Sequence, residues 1–330
     1  MTSDRIHVVA GVIRDDAGRI LLAQRPLGGH LAGLWEFPGG KREAGESRWD
    51  ALVRELNEEL GIVAQTGRPL ISVPFSYADK SIRLDVWQVG AYSGTAWSRE
   101  GQALQWVHDT AFDAMAMPAA DRPVISALRL PSAYLITPDL SPQPQAALIE
   151  PIRIALQNGI RLVQLRLPQW SSSAIASVAV PLHALARQYG ARLLLHADIA
   201  LATASNFDGV HLPARVAARC NARPLPRHVW LGVSCHDSSE LAHAARIGAD
   251  FATLSPVSTT ASHPDQVALG WQQFADVVAD ARIPVYALGG MTIADIEQAN
   301  NSGAQGIAGI RALWVNYPGE SQLQFRASAR

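Results

Sequence analysis

The chain has 330 residues, 48% of them hydrophobic, with a formal net charge of −1 and two cysteines. That length favours two compact domains, and the near-neutral charge excludes a surface built to coat a polyanion while leaving room for a local phosphate site. Cys220 and Cys235 match no metal or redox spacing. No apolar run reaches the roughly 20 residues a bilayer needs, and the opening MTSDRIHVVAGVIRDD lacks the basic-then-apolar order of an export signal. A soluble cytoplasmic protein is expected, without a membrane or direct nucleic-acid partner.

In chain order, HVVAGVIRDDAGRILLAQR predicts a β-hairpin, two apolar runs joined by Asp-Ala-Gly turn chemistry. WDALVRELNEEL predicts a helix: Trp49, Leu52, Leu56 and Leu60 recur at helical spacing, and Gly61 supplies the stop. SIRLDVWQVGAYSG alternates as a strand does, and a compact α+β domain closes near Leu130. Beyond LRLPSAYLITPDLSPQPQ the rhythm changes. The apolar runs AYLIT, RLVQLRL, RLLLHAD, GVHLP, VWLGVSC, FATLSPV, PVYALGG and GIAGIRALW alternate with helix-length spacers such as SSELAHAARIGA and IADIEQANNSGA. Repeated βα units predict a parallel (β/α)8 barrel of roughly 200 residues, and so a two-domain α/β protein. The boundary falls at Pro131–Ser132, because AYLIT serves as the first barrel strand; the expected domains are 1–131 and 132–330.

Glu55, Glu58 and Glu59 fall on one helix face, where like charges repel. Pairing of Arg54 with Glu58 would make an ordinary solvated face, but it leaves the preceding Gly-rich loop, the isolated Glu46 and the terminal Gly61 without a reason. A carboxylate face beside a glycine turn suits Mg²⁺, which takes hard oxygen ligands and keeps positions open for water and phosphate. From Gly40 the order is Gly, five residues, Glu46, seven residues, Arg54-Glu55-Leu56, one residue, Glu58-Glu59, one residue, Gly61-Ile62. This is the complete pattern of the Nudix box, and the stretch from about Ile6 to Leu130 resembles the MutT-type branch of the Nudix hydrolases.

The resemblance implies an α/β/α sandwich (an α+β fold) that hydrolyses oxidised guanine nucleotides. The notable substrate is 8-oxo-dGTP, cleaved to monophosphate and pyrophosphate, which cleanses the pool for DNA replication and averts mutation. It implies Mg²⁺, with Mn²⁺ as the alternative, held by the Gly39 carbonyl, Glu55, Glu58, Glu59 and Glu100. Arg54 would orient the carboxylates, Glu46 would support loop and helix, and Glu55, Glu59 or Glu100 would be the general base. Arg25, His30, Glu36 and Phe37 in LAQRPLGGHLAGLWEFPGGK take positions around the nucleotide, as do Lys80, where the branch has arginine, and Asp121 in MPAADRPVI. His30 and Phe37 also read as a loop residue and a core aromatic. The branch normally presents Asn where Asp121 stands. A carboxylate accepts the N7–H of the oxidised base, and its O6 then needs a backbone N–H or a protonated Asp121.

From about Ser132 to Trp314 the chain resembles thiamine-phosphate synthase and the TenI-type thiazole tautomerases, through LVQLRL, GVSCHDSSELAHAARIGADFATLSPV and IPVYALGGMTIADIEQANNSGAQGIAGIRAL. The resemblance implies a phosphate cup at Gly289, Gly290 and Gly309, with Arg311 adding a cation where synthases have Ser, and a thiazole-phosphate contact at Thr260 and Ser262. The synthase motif Gln-Leu-Arg-Glu-Lys keeps Gln164 and Arg166 but has Pro168 at the lysine. The Asn-Asp pair reads His196-Ala197, the later metal Asp falls at Val216, and the lysine after Thr-x-Thr is His263. A departing pyrophosphate needs those charges, so synthase activity is not expected. His236 matches the histidine of the tautomerase Ser-x-His segment, where one acid/base near neutrality suffices, but synthases carry it too and a structural role at a strand end is an equal reading. Asp198 reads as the N-cap of a helix in IALATA. The expectation is a metal-dependent nucleotide hydrolase fused to a barrel that binds a phosphorylated ligand such as a thiazole or thiamine phosphate. One alternative is hydrolysis of a thiamine-pathway pyrophosphate beside a tautomerase barrel; the other makes the barrel a regulatory binding module.

Overall fold

The computed structural model describes residues 5–259 and 267–314. The chain divides into two compact units, 1–129 and 130–330. The first contains β1 (Ile6–Val12), β2 (Ile20–Gln24), β3 (Trp35–Glu36), helix α1 (Arg48–Leu60), β4 (Val63–Ser76), β5 (Ser81–Ser93), β6 (Leu104–Val107) and helix α2 (Arg122–Arg129). Its strands form two three-stranded sheets, ordered β1-β5-β4 and β3-β2-β6.

The expected hairpin is corrected by this pairing. Between its arms only the Arg14–Ile20 bridge and the bonds around the turn survive. β1 then runs parallel to β5, while β2 pairs antiparallel with β3 and β6. The reason is burial on both faces. Ala10 and Val12 pack with Phe37, Val86 and Val124, whereas Val9 and Ile13 pack with Leu52, Leu56 and Leu60 of α1. An isolated two-stranded ribbon would leave half of that apolar surface in water.

Helix α1 follows from local chemistry. Ser47 Oγ accepts from the Asp50 N–H at 3.1 Å, capping the start. Leu52, Leu56 and Leu60 are fully buried, and Gly61 ends the helix at a left-handed φ of 69°. The glutamates flank the buried stripe, Glu58 exposed and Glu55 and Glu59 partly buried beside it.

The second unit alternates strands and helices: β7 (Ala133–Ile136), α3 (Gln145–Gln157), β8 (Leu162–Leu165), α4 (Ser172–Gln188), β9 (Arg192–His196), α5 (Ile199–Ala204), β10 (Gly209–Leu212) and α6 (Ala214–Ala217). It continues with β11 (Trp230–Cys235), α7 (Ser238–Arg246), β12 (Phe251–Leu254), α8 (Gly270–Val278), β13 (Val285–Leu288), α9 (Ile296–Asn301) and β14 (Gly306–Gly309). The strands close into a parallel barrel through β14 and β7. Each of the eight apolar runs picked out in the sequence forms one strand. Side chains alternate along each strand, so Tyr134, Leu162, Leu194, Phe251 and Tyr286 fill the lumen while Val163, Leu165, Leu193 and Leu195 face the helices. The same alternation turns Gln164, His196 and His211 inward. Asp198 caps α5, accepting from the Leu201 N–H at 2.9 Å. Among the described residues no helix is long and apolar enough to cross a membrane.

Candidate functional site

The loop before α1 is laced to β1: the Val9 N–H donates to the Gly40 carbonyl at 2.9 Å and the Gly11 N–H to Pro38 at 2.8 Å. The approach is close enough that a Cβ on Gly39 would fall 2.1 Å from the Val9 carbonyl oxygen. A Cβ on Gly40 would fall 2.4 Å from Glu55 Oε2, so glycine here is what lets the loop lie against the helix carboxylates.

Arg54 organises that face. Its Nε and Nη2 donate to the two carboxylate oxygens of Glu46 at 2.7 and 2.9 Å, and its Nη1 donates to Glu55 and Glu58, each at 3.0 Å. Its Nη2 also donates to the Lys41 carbonyl at 3.0 Å. The Arg54 guanidinium, helped by the Glu43 N–H, holds Glu46 down at about 2. Glu59 is in the opposite condition. Burial, then the charge of Glu100, pushes it up to about 8, opposed by the Gly39 N–H that donates to its Oε2 at 3.2 Å. Burial also raises Glu55, against the pull of Arg54 and with the push of Glu58 and Glu100. The structure therefore brings Glu55, Glu58, Glu59, Glu100, Arg54 and Gly39 together electrostatically. Among the described residues no three such side chains converge into a closed metal cage. The donor set nonetheless fits a hard divalent cation: carboxylates beside a glycine turn, one of them held protonated by the repulsion and burial such a cation relieves.

A cavity of about 320 Å³ adjoins this face, with Gly39, Gly40 and Glu59 in its wall. Arg25, His30, Glu36, Phe37, Lys80 and Asp121, the whole set assigned to nucleotide from sequence, line it as well. Their surroundings differ. Arg25 pairs with Glu36 at 2.5 Å and donates to the His30 carbonyl at 2.9 Å, which ties the loop to β3. Burial raises Glu36 despite that partner. Phe37 is core and wall at once, its ring edge-on to Phe112 at 5.9 Å. The His30 ring stands edge-on to Tyr77 at 5.0 Å, with Nδ1 3.5 Å from Asp79 and Nε2 buried without a partner. Asp121 lies in a short turn before α2, 5% exposed, and its Oδ2 is likewise buried and unpartnered. Burial, then the Glu36 charge, raises the Asp121 carboxyl well above the ordinary range against the pull of Arg25, which favours its protonated form. Tyr77 also lines this cavity. Sequence reasoning missed it, although a tyrosine in FSYADK just before Lys80 was a usable signal.

In the barrel lumen a hydrogen-bond chain links five strands. The Tyr134 hydroxyl donates to Gln164 Oε1 at 3.1 Å and lies 3.0 Å from His211 Nδ1; Gln164 Nε2 donates to His196 Nδ1 at 2.7 Å. His211 Nε2 lies 2.9 Å from Ser234 Oγ. These bonds set the tautomers, leaving His196 with its proton on Nε2 and His211 with its proton on Nδ1. Burial first, then the charges of Arg166 and Arg215, lowers His196 to about 4; burial, then His196, lowers His211 to about 3. The sequence signal for His211 was a lone polar residue at an inward position of GVHLP.

Other barrel residues fall in several places. His236 Nδ1 lies 2.9 Å from Glu240 Oε2, which also accepts the His236 N–H at 2.7 Å, a local cap of α7. Gly289 and Gly290 have φ of 108° and 71° and pack against Pro256 and Ser258. A Cβ on Gly309 would meet Leu313 at 2.9 Å. Arg311 is half-buried in the turn after β14. Thr260 and Ser262 lie outside the described residues.

The Nudix domain family matches residues 9–127, and the thiamine monophosphate synthase family matches residues 133–313. The chain belongs to both families. Its Nudix half is 45% identical over 122 residues to the CTP pyrophosphohydrolase of Escherichia coli K12, covering 37% of this chain and 90% of that protein. It is 35% identical over 125 residues to the 8-oxo-dGTP diphosphatase of the same organism, covering 38% of this chain and 97% of that protein. The barrel half is 30% identical over 185 residues to the thiamine-phosphate synthase of Desulfitobacterium hafniense, covering 55% of this chain and 88% of that protein. The Nudix half is thus a hydrolase of pyrophosphate bonds, fused to a barrel of the thiamine monophosphate synthase family.

Proposed function

We propose that the Nudix half hydrolyses nucleoside triphosphates whose base offers a hydrogen-bond acceptor beside a donor, foremost 8-oxo-dGTP, giving the monophosphate and pyrophosphate. The observation that carries this is the buried Asp121 carboxyl in the cavity wall, its Oδ2 without a partner and its protonated form favoured by burial. A protonated carboxyl presents one O–H and one C=O side by side. The oxidised base matches it with O6 as acceptor and N7–H as donor, while ordinary guanine shows two acceptors there and leaves the C=O unpaired. An unpaired buried group costs roughly 1–3 kcal/mol, which favours the oxidised nucleotide. Cytosine presents the same pair, N3 beside the N4 amino group, so CTP is a second substrate of this reading; the similarity to a CTP pyrophosphohydrolase supports it.

The Gly39 carbonyl, Glu55, Glu58, Glu59 and Glu100 would hold Mg²⁺, which supplies charge for the phosphates and lowers the pKa of bound water. Arg54 orients Glu55 and Glu58 through the bonds described above. Glu59, which burial and Glu100 push up to about 8, would carry more charge beside a cation and would then be placed to accept a proton from water. The barrel, in this reading, binds a phosphorylated ligand and performs no synthase step.

The test is steady-state hydrolysis of 8-oxo-dGTP, dGTP and CTP with Mg²⁺ by the wild type and Glu58→Gln. A large preference for 8-oxo-dGTP over dGTP, as much as roughly 10⁴ at a site built around base hydrogen bonds, with activity lost in the variant, is the expected result. Equal rates on dGTP and 8-oxo-dGTP would discard base selection by Asp121.

A further inference from the structure

The loop from β5 to β6 is sewn to the last turn of α1. The Trp97 N–H donates to the Leu60 carbonyl at 3.1 Å, the Arg99 N–H to the Glu59 carbonyl at 3.0 Å and Arg99 Nη1 to the Asn57 carbonyl at 2.9 Å. A helix end leaves such carbonyls without partners inside the helix, and these bonds supply them. Gln102, only 9% exposed, adds a tie of a different kind. Its Oε1 accepts from the Ser98 hydroxyl at 2.7 Å and from the Glu100 N–H at 3.1 Å. Its Nε2 donates to the Glu59 carbonyl at 3.4 Å, the longest of the three bonds. One carboxamide therefore stands between the backbones of Glu59 and Glu100. The next carbonyl, that of Ala103, accepts from the Gln24 N–H at 2.8 Å, which fixes the base of this clamp to β2.

We propose that Gln102 is a positioning residue for the hydrolysis: its carboxamide sets Glu100 against Glu59, so that both carboxylates can face one divalent cation. The inference rests on the reading of those two residues as cation ligands. Capping of α1 does not require Gln102, because the Glu59 carbonyl already accepts from the Arg99 N–H. What Gln102 supplies is a grip on Glu100, whose N–H it alone holds among the described residues. Glu100 needs that grip. It is exposed, it is followed by Gly101 at a left-handed φ of 80°, and its charge bears on Glu55 and Glu59 with the same sign. Arg54 restrains Glu46, Glu55 and Glu58 in a comparable way, but with a positive charge. A second cation beside Glu59 and Glu100 would cancel the charge that draws metal in. A carboxamide adds no charge and offers donor and acceptor at once, so it orders the ligands and leaves their attraction for a cation intact.

Two measurements on the full chain test this: Mn²⁺ binding without nucleotide, read from the paramagnetic resonance signal of the free ion, and steady-state hydrolysis of 8-oxo-dGTP and CTP. Gln102→Met fills the same space without an amide, and Gln102→Asn keeps the amide one methylene short. Both should weaken Mn²⁺ binding and lower kcat, each by roughly tenfold, with KM for nucleotide little changed. Arg99→Leu removes a capping bond from the same loop but none from Glu100. It should lower thermal stability and leave Mn²⁺ affinity at the wild-type value. Equal losses of Mn²⁺ affinity in Arg99→Leu and the Gln102 variants would overturn the proposal, reducing Gln102 to one more part of the helix cap. Wild-type Mn²⁺ affinity and kcat in a folded Gln102 variant would overturn it as well. Glu100→Gln separates this inference from the reading beneath it. If Glu100→Gln weakens Mn²⁺ binding and the Gln102 variants do not, the ligand set stands and the clamp fails. If Glu100→Gln changes nothing, or the wild type takes up no Mn²⁺, both fail together.

Discussion

Ionising a buried carboxyl whose Oδ2 has no partner is costly, and burial together with Glu36 favours the proton at Asp121. Two outcomes follow. Asn offers the same donor beside acceptor, so Asp121→Asn should retain the preference for 8-oxo-dGTP over dGTP, whereas Asp121→Ala should lose at least tenfold of it in kcat/KM. The folded pKa lies above the unfolded value, so the folded state binds more protons, and stability falls as pH rises from about 4 towards the folded pKa. Asp121→Asn removes that loss, and its stability advantage over wild type, measured by urea unfolding, should grow from pH 5 to pH 8. A second residue-scale outcome concerns Gly40, where a Cβ would stand 2.4 Å from Glu55 Oε2. Gly40→Ala should displace that carboxylate and lower kcat by at least tenfold, with thermal stability reduced by no more than a few degrees. The glutamate face and Gly40 were legible in sequence because their spacing is local. The protonation of Asp121 was open, because burial is set by chain segments far from position 121.

At the scale of elements, α1 and the barrel strands form where local pattern predicts them, whereas the hairpin of β1 and β2 does not. A helix satisfies its backbone within its own segment; a strand must find a partner, and β1 finds β5 some 75 positions along the chain, Ile6 opposite Ile82. The lumen of the barrel shows the same limit. Alternation turned Gln164, His196 and His211 inward, but the chain joining them through Tyr134 depends on four strands meeting. It has a measurable consequence. His196 and His211 have folded pKa values of about 4 and about 3, below the 6.5 of the free side chain. The unfolded state therefore takes up protons first, and barrel stability should be lost as pH falls from 6.5 towards 4. The expected slope is about 1.4 kcal/mol per pH unit for each histidine over that window. Urea unfolding at pH 7, 6 and 5 checks it, and a flat profile would contradict the neutral pair.

At the scale of the whole molecule, metal removal tests the hydrolase reading: EDTA should abolish nucleotide hydrolysis in a steady-state assay, since the Nudix carboxylates repel one another without a cation, and unchanged activity in EDTA would contradict it. The sequence by itself determined the two families, the αβ rhythm of the barrel, the helix that carries the glutamates and the glycines that let backbone approach them. All of these depend on spacing within a few dozen residues. Tertiary structure alone decided which sheets β1 and β2 join, that burial raises the Asp121 carboxyl, and that His30 and Tyr77 face one cavity. Those features arise from burial and from juxtaposition of distant segments, which create low dielectric and unpaired donors that no local pattern contains.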